Sequence, residues 1–249
     1  MKIIKFAKKK DGQYMLTLEN DRKILLHEDL ILKNDLLIKK TIDEDEILNL
    51  LSQNNNYNAY NMSIKYLSVK MRSIFEVKEY LKKKEIDQSA IDQVVDKLIY
   101  QGYLNDTEYS KAYINDRINL SNDGPYKIIT YLKNNNIKQE IIDDSIKFFD
   151  KNIQIDKINN IILKQIKSNN NRGAYLLKQK ILMNLITLGY EKQLIVSCLD
   201  NFEINDSEAY KKEYNKIHDK LSKKYSGKEL EYKIKQKLYQ KGFLNHESL

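Results

Sequence analysis

Almost nothing in this sequence interrupts a helix. It holds one proline and seven glycines in 249 residues. Proline removes an amide donor and glycine raises the entropy cost of ordering, so their scarcity points to a mainly α protein. The glycines are also too dispersed for a phosphate-binding loop, which needs several close together so that backbone amides approach the phosphates. The nearest pair, Gly227 and Gly242, is 15 positions apart, which excludes a Walker or Rossmann loop. The three histidines, His27, His218 and His246, are scattered and fit no zinc spacing. One cysteine, Cys198, excludes an intramolecular disulfide and fits a reducing cytosol. It shares a helical face with Ile195 and Leu199, which reads as a small core residue. Met1 to Lys10 is basic but has no apolar run of signal-peptide type. No stretch reaches the roughly 20 apolar residues of a membrane span. A soluble, cytoplasmic protein is expected, with no membrane partner.

Apolar residues make up 41% of the chain, enough for cores, and one spacing of them recurs. Tyr80-Leu81-Lys82 is followed by Ile86, Ile91 and Val95. Tyr131-Leu132-Lys133 is followed by Ile137, Ile142 and Ile146, at the same intervals and 51 residues on. Leu185 is followed by Tyr190, Ile195 and Leu199 in the same way. A recurring apolar spacing marks one supersecondary unit used several times, each stacked on its neighbour. The expected fold is mainly α: tandem three-helix repeats in an elongated curved array, with a small N-terminal β-meander. Residues 1–60 would hold the meander and a helix. Repeats would follow at 62–121, 124–168 and 172–223. Residues 228–249 would form a partial repeat or C-terminal cap, because Leu238 and Phe243 reproduce the interval of Leu185 and Tyr190.

Local signals support this frame. Residues 1–27 alternate apolar and polar positions around Asp11-Gly12 and Asn20-Asp21, two turn pairs. His27-Glu28-Asp29-Leu30 opens a short helix, and Asp43 to Leu51 begins a longer one. The polar run 53–58 reads as a linker or a frayed turn, and Ser168 to Asn171 as a loop. Ile91, Val94, Val95, Leu98 and Ile99 form one buried stripe, with Asp87 or Ser89 as cap and Gly102 as stop. Asn105-Asp106-Thr107-Glu108 starts the next helix, and Asn205-Asp206-Ser207-Glu208 repeats that signal. Pro125 suits a first helical turn.

Charge is unevenly spread. Residues 151–249 hold 19 basic and 11 acidic side chains, while the two preceding segments nearly cancel, so the whole excess of +8 lies there. Lys212, Lys216, Lys220 and Lys223 form one helical stripe that could follow a phosphate backbone or an acidic groove. The same lysines would also serve simply to solvate a helix. Lys82, Lys83 and Lys84 form a second patch. The acid clusters Asp43 to Glu46 and Asp143-Asp144 are ordinary for helix starts and wet faces. No catalytic residue, metal site or cofactor is implied, and the expected protein is not an enzyme.

Taken together, these residues resemble the RecX family, regulators of the bacterial recombinase RecA. The likeness rests on Gly102-Tyr103-Leu104-Asn105-Asp106, then Tyr109, Ala112, Arg117 and Gly124-Pro125. Upstream, Arg72-Ser73, Glu76, Tyr80-Leu81 and the Ile91 to Leu98 stripe are similar to the family's first repeat. Ile128, Leu132 and Ile137 are similar to its second, and the N-terminal strands to an extension of longer members. Asn134-Asn135-Asn136 departs from it, where a glycine often stands. The resemblance implies a curved array that docks in the groove of the RecA filament on single-stranded DNA. There it would hinder filament growth and repress ATP hydrolysis, strand exchange and coprotease activity. It also implies direct contact with single-stranded, and in some members double-stranded, DNA. The expected contact residues are Lys212, Lys216 and Lys220, then Arg72, Lys83, Arg117 and Lys127, on a monomer. Arg117 has a structural alternative, pairing with an acid between helices. The alternative function is a sequence-independent DNA-binding helical-repeat protein acting without RecA.

Overall fold

The computed structural model describes residues 1–10, 12–169 and 171–244. Asp11 of the expected turn, Asn170 of the expected loop and His246 lie outside these. The chain divides into two compact units. The first comprises Met1–Tyr109 with Asn135–Ile137; the second comprises Ser110–Asn134 and the described residues from Lys138 onward.

The first unit opens with the expected meander: β1 (Ile3–Lys8), β2 (Gln13–Leu18) and β3 (Lys23–His27), antiparallel in that order. Phe6 faces Leu16, and Leu16 faces Ile24. The alternation puts Leu16, Leu18 and Leu26 on one face, fully buried. A sheet this small is marginal alone. It is covered by α1 (Glu28–Lys33), the single turn α2 (Leu36–Lys39) and the start of α3 (Glu44–Leu67), through Leu30, Leu36, Ile47 and Leu50. Asp43 and Glu46 form a reciprocal capping box that starts α3.

The polar run 53–58 is neither linker nor frayed turn: α3 passes through it unbroken. The reason is the free edge of β3. Buried Asn54 accepts from the His27 amide at 2.9 Å and donates to the Leu25 carbonyl at 3.1 Å. Asn58 accepts from Gln13 at 3.0 Å. The Asn54 amide thus pairs with backbone groups that would otherwise be orphaned at the edge.

Beyond Ala59, α3 leaves the sheet and packs with α4 (Ile74–Lys82) and α5 (Gln88–Tyr100). Ala59, Val77, Leu81, Ile91, Val94, Val95 and Leu98 form that core, so the recurring apolar spacing is a core spacing. Ser73 and Glu76 form a capping box for α4, and Asp87 caps α5.

The remaining helices are α6 (Asp106–Leu120), α7 (Pro125–Asn134), α8 (Gln139–Ser145), α9 (Lys151–Lys167), α10 (Ala174–Thr187), α11 (Lys192–Asp200), α12 (Ser207–Leu221) and α13 (Gly227–Gln240). α8 spans only seven residues. It ends in a 3-10 turn, Ile146–Phe148, which brings Phe149 into the core. α9, α10 and α11 bury Ile158, Ile162, Ile181, Leu185, Ile195 and Cys198, whose thiol pKa is pushed up by burial. α12 and α13 bury Ala209, Ile217, Ile234, Leu238 and Phe243 together.

Two features tie successive helices. First, Asp106 accepts from the Ile74 amide at 2.9 Å and Asp206 from the Ala174 amide at 2.6 Å, each 32 residues downstream of the donor. Each satisfies an orphan donor at the start of α4 or α10. The corresponding helix α7 starts at Pro125, which has no amide hydrogen. The residue 32 beyond it is Lys157, and its ammonium instead caps the Ile118 and Ser121 carbonyls at the end of α6. Second, backbones meet where α7 and α10 begin. The Gly124 amide donates to the Leu188 carbonyl at 2.6 Å, and the Gly173 amide to the Lys241 carbonyl at 2.9 Å. A Cβ on Gly124 would lie 2.6 Å from Gly189 backbone, and one on Gly173 2.2 Å from Gly242 backbone.

Gly173→Ala should therefore cost about 2–3 kcal/mol, an overpacking effect, read as a lower urea midpoint. Gly102→Ala meets no atom within 4 Å but keeps φ at +76°, so it should cost only about 1 kcal/mol. Equal losses would show that the joint yields. Burial raises the pKa of Asp106, partly opposed by its bond from Ile74. The folded state thus binds this proton more tightly than the unfolded chain, so the carboxylate costs stability at neutral pH. That cost fades as pH falls through the raised value. Asp106→Asn keeps the acceptor without the charge, so its stability relative to the parent should be greater at pH 7 than at pH 4. A pH-independent difference in urea midpoints would refute this.

Candidate partner-binding surface

Arg72 and Lys83 lie in the first unit. The Arg72 guanidinium sits 4.0 Å from the Tyr66 ring, and Tyr66 stacks on Tyr80 at 4.2 Å with planes 6° apart. Glu76, from the α4 capping box, pairs with Arg72 at 3.5 Å. This arginine is largely buried and held on both sides, where cation–π attraction and the ion pair fix its plane. Lys83 is the C-cap residue of α4 and is exposed. Lys82 pairs with Glu79 at 3.2 Å and the Lys84 ammonium lies 5.9 Å from the Tyr80 ring. Of that trio, only Lys83 has no partner among the described residues.

In the second unit the structure brings Arg117 and Lys127 together on Asp123, at 3.8 and 2.6 Å. Asp123 lies between α6 and α7, so Arg117 takes the structural alternative open to it: an acid between helices. Its guanidinium also lies 5.2 Å from the Tyr113 ring, which stacks on Tyr131 at 4.3 Å with planes 9° apart. Burial pushes the Tyr113 phenol up to about 12, although Arg117 pulls the other way. An Arg–Tyr–Tyr stack thus occurs in both units, and its outer ring is the tyrosine of Tyr-Leu-Lys each time. At the next equivalent position the ring is replaced by Asn184, bonded to Gln165 at 3.2 Å.

Lys212, Lys216 and Lys220 stand together on α12, all exposed, and none is in an ion pair among the described residues. The opposite side of the same helix enters the core through Ala209 and Ile217. Buried Glu213 meets the Lys241 ammonium at 2.9 Å. Charge on this helix therefore has two uses: Glu213 fastens the end of α13, and the lysines face water. α13 adds exposed Lys228 and Lys235, which were not singled out from the sequence. Their spacing of seven is a helical-face signal, but only the α12–α13 hairpin brings them beside Lys211 and Tyr214.

Among the described residues no His, Cys, Asp or Glu group is arranged to hold a metal, and no helix is long and apolar enough to cross a membrane.

Residues 59–98, the end of α3 with α4 and most of α5, match the family model for the first three-helix domain of RecX. A regulatory protein RecX of Bacillus cytotoxicus is 35% identical over 222 residues, covering 88% of this chain and 82% of the relative. One of Bacillus cereus is 34% identical over 222 residues, with the same coverage. A crystal structure of a regulatory protein RecX superposes with a TM-score of 0.66 over 80% of this chain and 99% of its own, at 24% identity. That of RecX from Lactobacillus salivarius gives 0.55 over 59% and 95%, at 25% identity. With relatives this similar over most of its length, the chain belongs to the RecX family of regulatory proteins.

Proposed function

We propose that this chain modulates the RecA recombinase by docking on the filament that RecA forms on single-stranded DNA. In this reading it acts as a cytoplasmic monomer without chemistry of its own. It hinders filament growth, and so lowers ATP hydrolysis, strand exchange and coprotease activity. Family membership supports the regulatory role. The observation that carries the contact surface is the exposed, unpaired set Lys212, Lys216 and Lys220 on α12, within the third of the chain that holds the excess charge. Ammonium groups without acid partners are attracted to phosphates or acidic protein surfaces. Lys83 is the further candidate in the first unit. Arg72, Arg117 and Lys127 contribute less, since each already has an acid partner.

Sub-stoichiometric protein should slow ATP turnover by RecA on single-stranded DNA; an unchanged rate at equimolar protein would sink the reading. Lys212→Glu, Lys216→Glu and Lys220→Glu together should weaken that inhibition at least ten-fold while circular dichroism stays unchanged. Full inhibition by the triple variant would move the contact elsewhere. A gel shift without RecA separates the alternative, DNA binding in its own right, whose affinity would fall steeply with salt.

A further inference from the structure

The two edges of the meander are covered differently. At β3, Asn54 takes up backbone groups with its side chain. At β1 the chain lays a short extended segment of its own along the edge. The Ile3 amide donates to the Lys40 carbonyl at 2.9 Å, the Ile42 amide to the Met1 carbonyl at 2.8 Å, and Lys2 bridges Thr41 antiparallel. This cover stops at Ile3. Beyond it, the register decides which backbone groups face out. Leu18 donates to Arg22 on the β3 side, so alternation turns Leu16 and Tyr14 to β3 and Thr17 and Met15 to β1. Their partners Lys5 and Ala7 bond inward, as does the Lys9 amide to the Gln13 carbonyl at 2.7 Å. The amides and carbonyls of Phe6 and Lys8 therefore point away from the sheet. No backbone group among the described residues is bonded to them.

The surroundings of this open stretch are basic and apolar at once. Residues 1–10 hold five lysines and no acid. Lys5, Lys9 and Lys10 are exposed, and none is in an ion pair among the described residues. The nearest acid along the ladder is Glu19, at the covered end, where its amide donates to the Lys2 carbonyl. Where the cover stops, Ile4 is 58% exposed. Ile38 of α2, the turn that leads into Lys40, is 81% exposed.

Lysines on an edge strand commonly guard it against pairing. A guard accounts for the charges but not for isoleucines left in water beside them. A second copy is a poor occupant, because β1 against β1 sets lysines opposite lysines, and like charges directly opposite are destabilising. A nucleic acid would meet the lysines and leave the row of peptide groups unused. An extended acidic polypeptide uses every feature. Its backbone continues the ladder, its carboxylates meet the lysines, and its apolar side chains cover the isoleucines.

We propose that the free edge of β1 takes up an extended acidic segment of a protein partner. That segment pairs with the backbone of Phe6 and Lys8, sets carboxylates on Lys5, Lys9 and Lys10, and covers Ile4 and Ile38. The inference does not rest on the RecA reading, and the full chain alone is enough to test it.

The test is fluorescence anisotropy with a labelled, end-capped peptide of alternating valine and glutamate. Lys8→Pro removes the outward amide, which the sheet does not use, and should weaken binding at least ten-fold. Lys8→Gln removes the same charge but keeps the amide, and should lose less than three-fold. Lys5→Glu should weaken binding about ten-fold. Hydrogen exchange reads the site directly: the Phe6 and Lys8 amides should exchange quickly in the free chain and slow at least ten-fold with peptide present. Circular dichroism checks folding. If Lys8→Pro fails to fold, a peptide N-methylated at alternate residues carries the test against the parent chain, with at least a ten-fold loss expected. No saturable binding, equal losses in Lys8→Pro and Lys8→Gln, or unchanged exchange at Phe6 and Lys8 would overturn the proposal. So would displacement of the peptide by polyglutamate or an oligothymidylate at equal concentration of anionic groups, since the lysines would then form a general polyanion patch.

Discussion

Two places where backbone touches backbone constrain the second unit. Gly124 meets Gly189, and Gly173 meets Gly242, each too closely for any side chain between them. Each joint is closed by an amide that would otherwise be an orphan at a helix start, donating to the carbonyl just before the partner glycine. Gly189 and Gly242 also take positive φ, which glycine adopts without strain. Four of the chain's seven glycines stand at these two joints, and the only proline follows one of them directly. The scarcity of both residues is thus a statement about location. They are spent where helices must meet and are absent where helices must run. In the first unit the corresponding positions carry side chains. Ser73 reaches the Asn135 side chain at 3.5 Å, and Asn136 takes the left-handed conformation at φ 53°. Asparagine tolerates that conformation better than most residues, which suits Asn136 to this position.

The helix starts show how one problem admits different solutions. The first amide of a helix needs an acceptor. Asp106 and Asp206 supply it for α4 and α10, while α7 removes the need by placing proline there. Once the donor is gone, an aspartate 32 residues on would have nothing to accept from. Lysine occupies that position and serves the opposite end of a helix, donating to carbonyls. The substitution looks radical in sequence and is consistent in hydrogen bonding, because each group in both versions is satisfied.

Much of the fold was legible because its signals are local. The stripe from Ile91 to Leu98, the Asn105 and Asp206 start signals and the Asn20-Asp21 turn of the meander depend on neighbours within a few residues. What escaped reading depends on distant partners. The run 53–58 looked like a linker until β3 supplied the groups its amides bond. Apolar spacing gives a period but not where each unit begins. Arg72 was expected at the contact surface because nothing in sequence pairs it with Tyr66, while Arg117 was also read as able to pair with an acid between helices, without Asp123 being identified.

The cations of this chain therefore fall into two groups with different physical duties. Arg72, Arg117, Lys157 and Lys241 are bound to rings, carbonyls or carboxylates, and removing one would leave a partner unsatisfied. Lys212, Lys216, Lys220, Lys228 and Lys235 have no such duty and face water. Their mutual repulsion slightly opposes folding. Of these charges, Lys212, Lys216 and Lys220 are the ones proposed above to meet a negatively charged partner. The apolar repeat thus supplies a frame of constant spacing, and the charges that the frame leaves unused distinguish its last helices from its first.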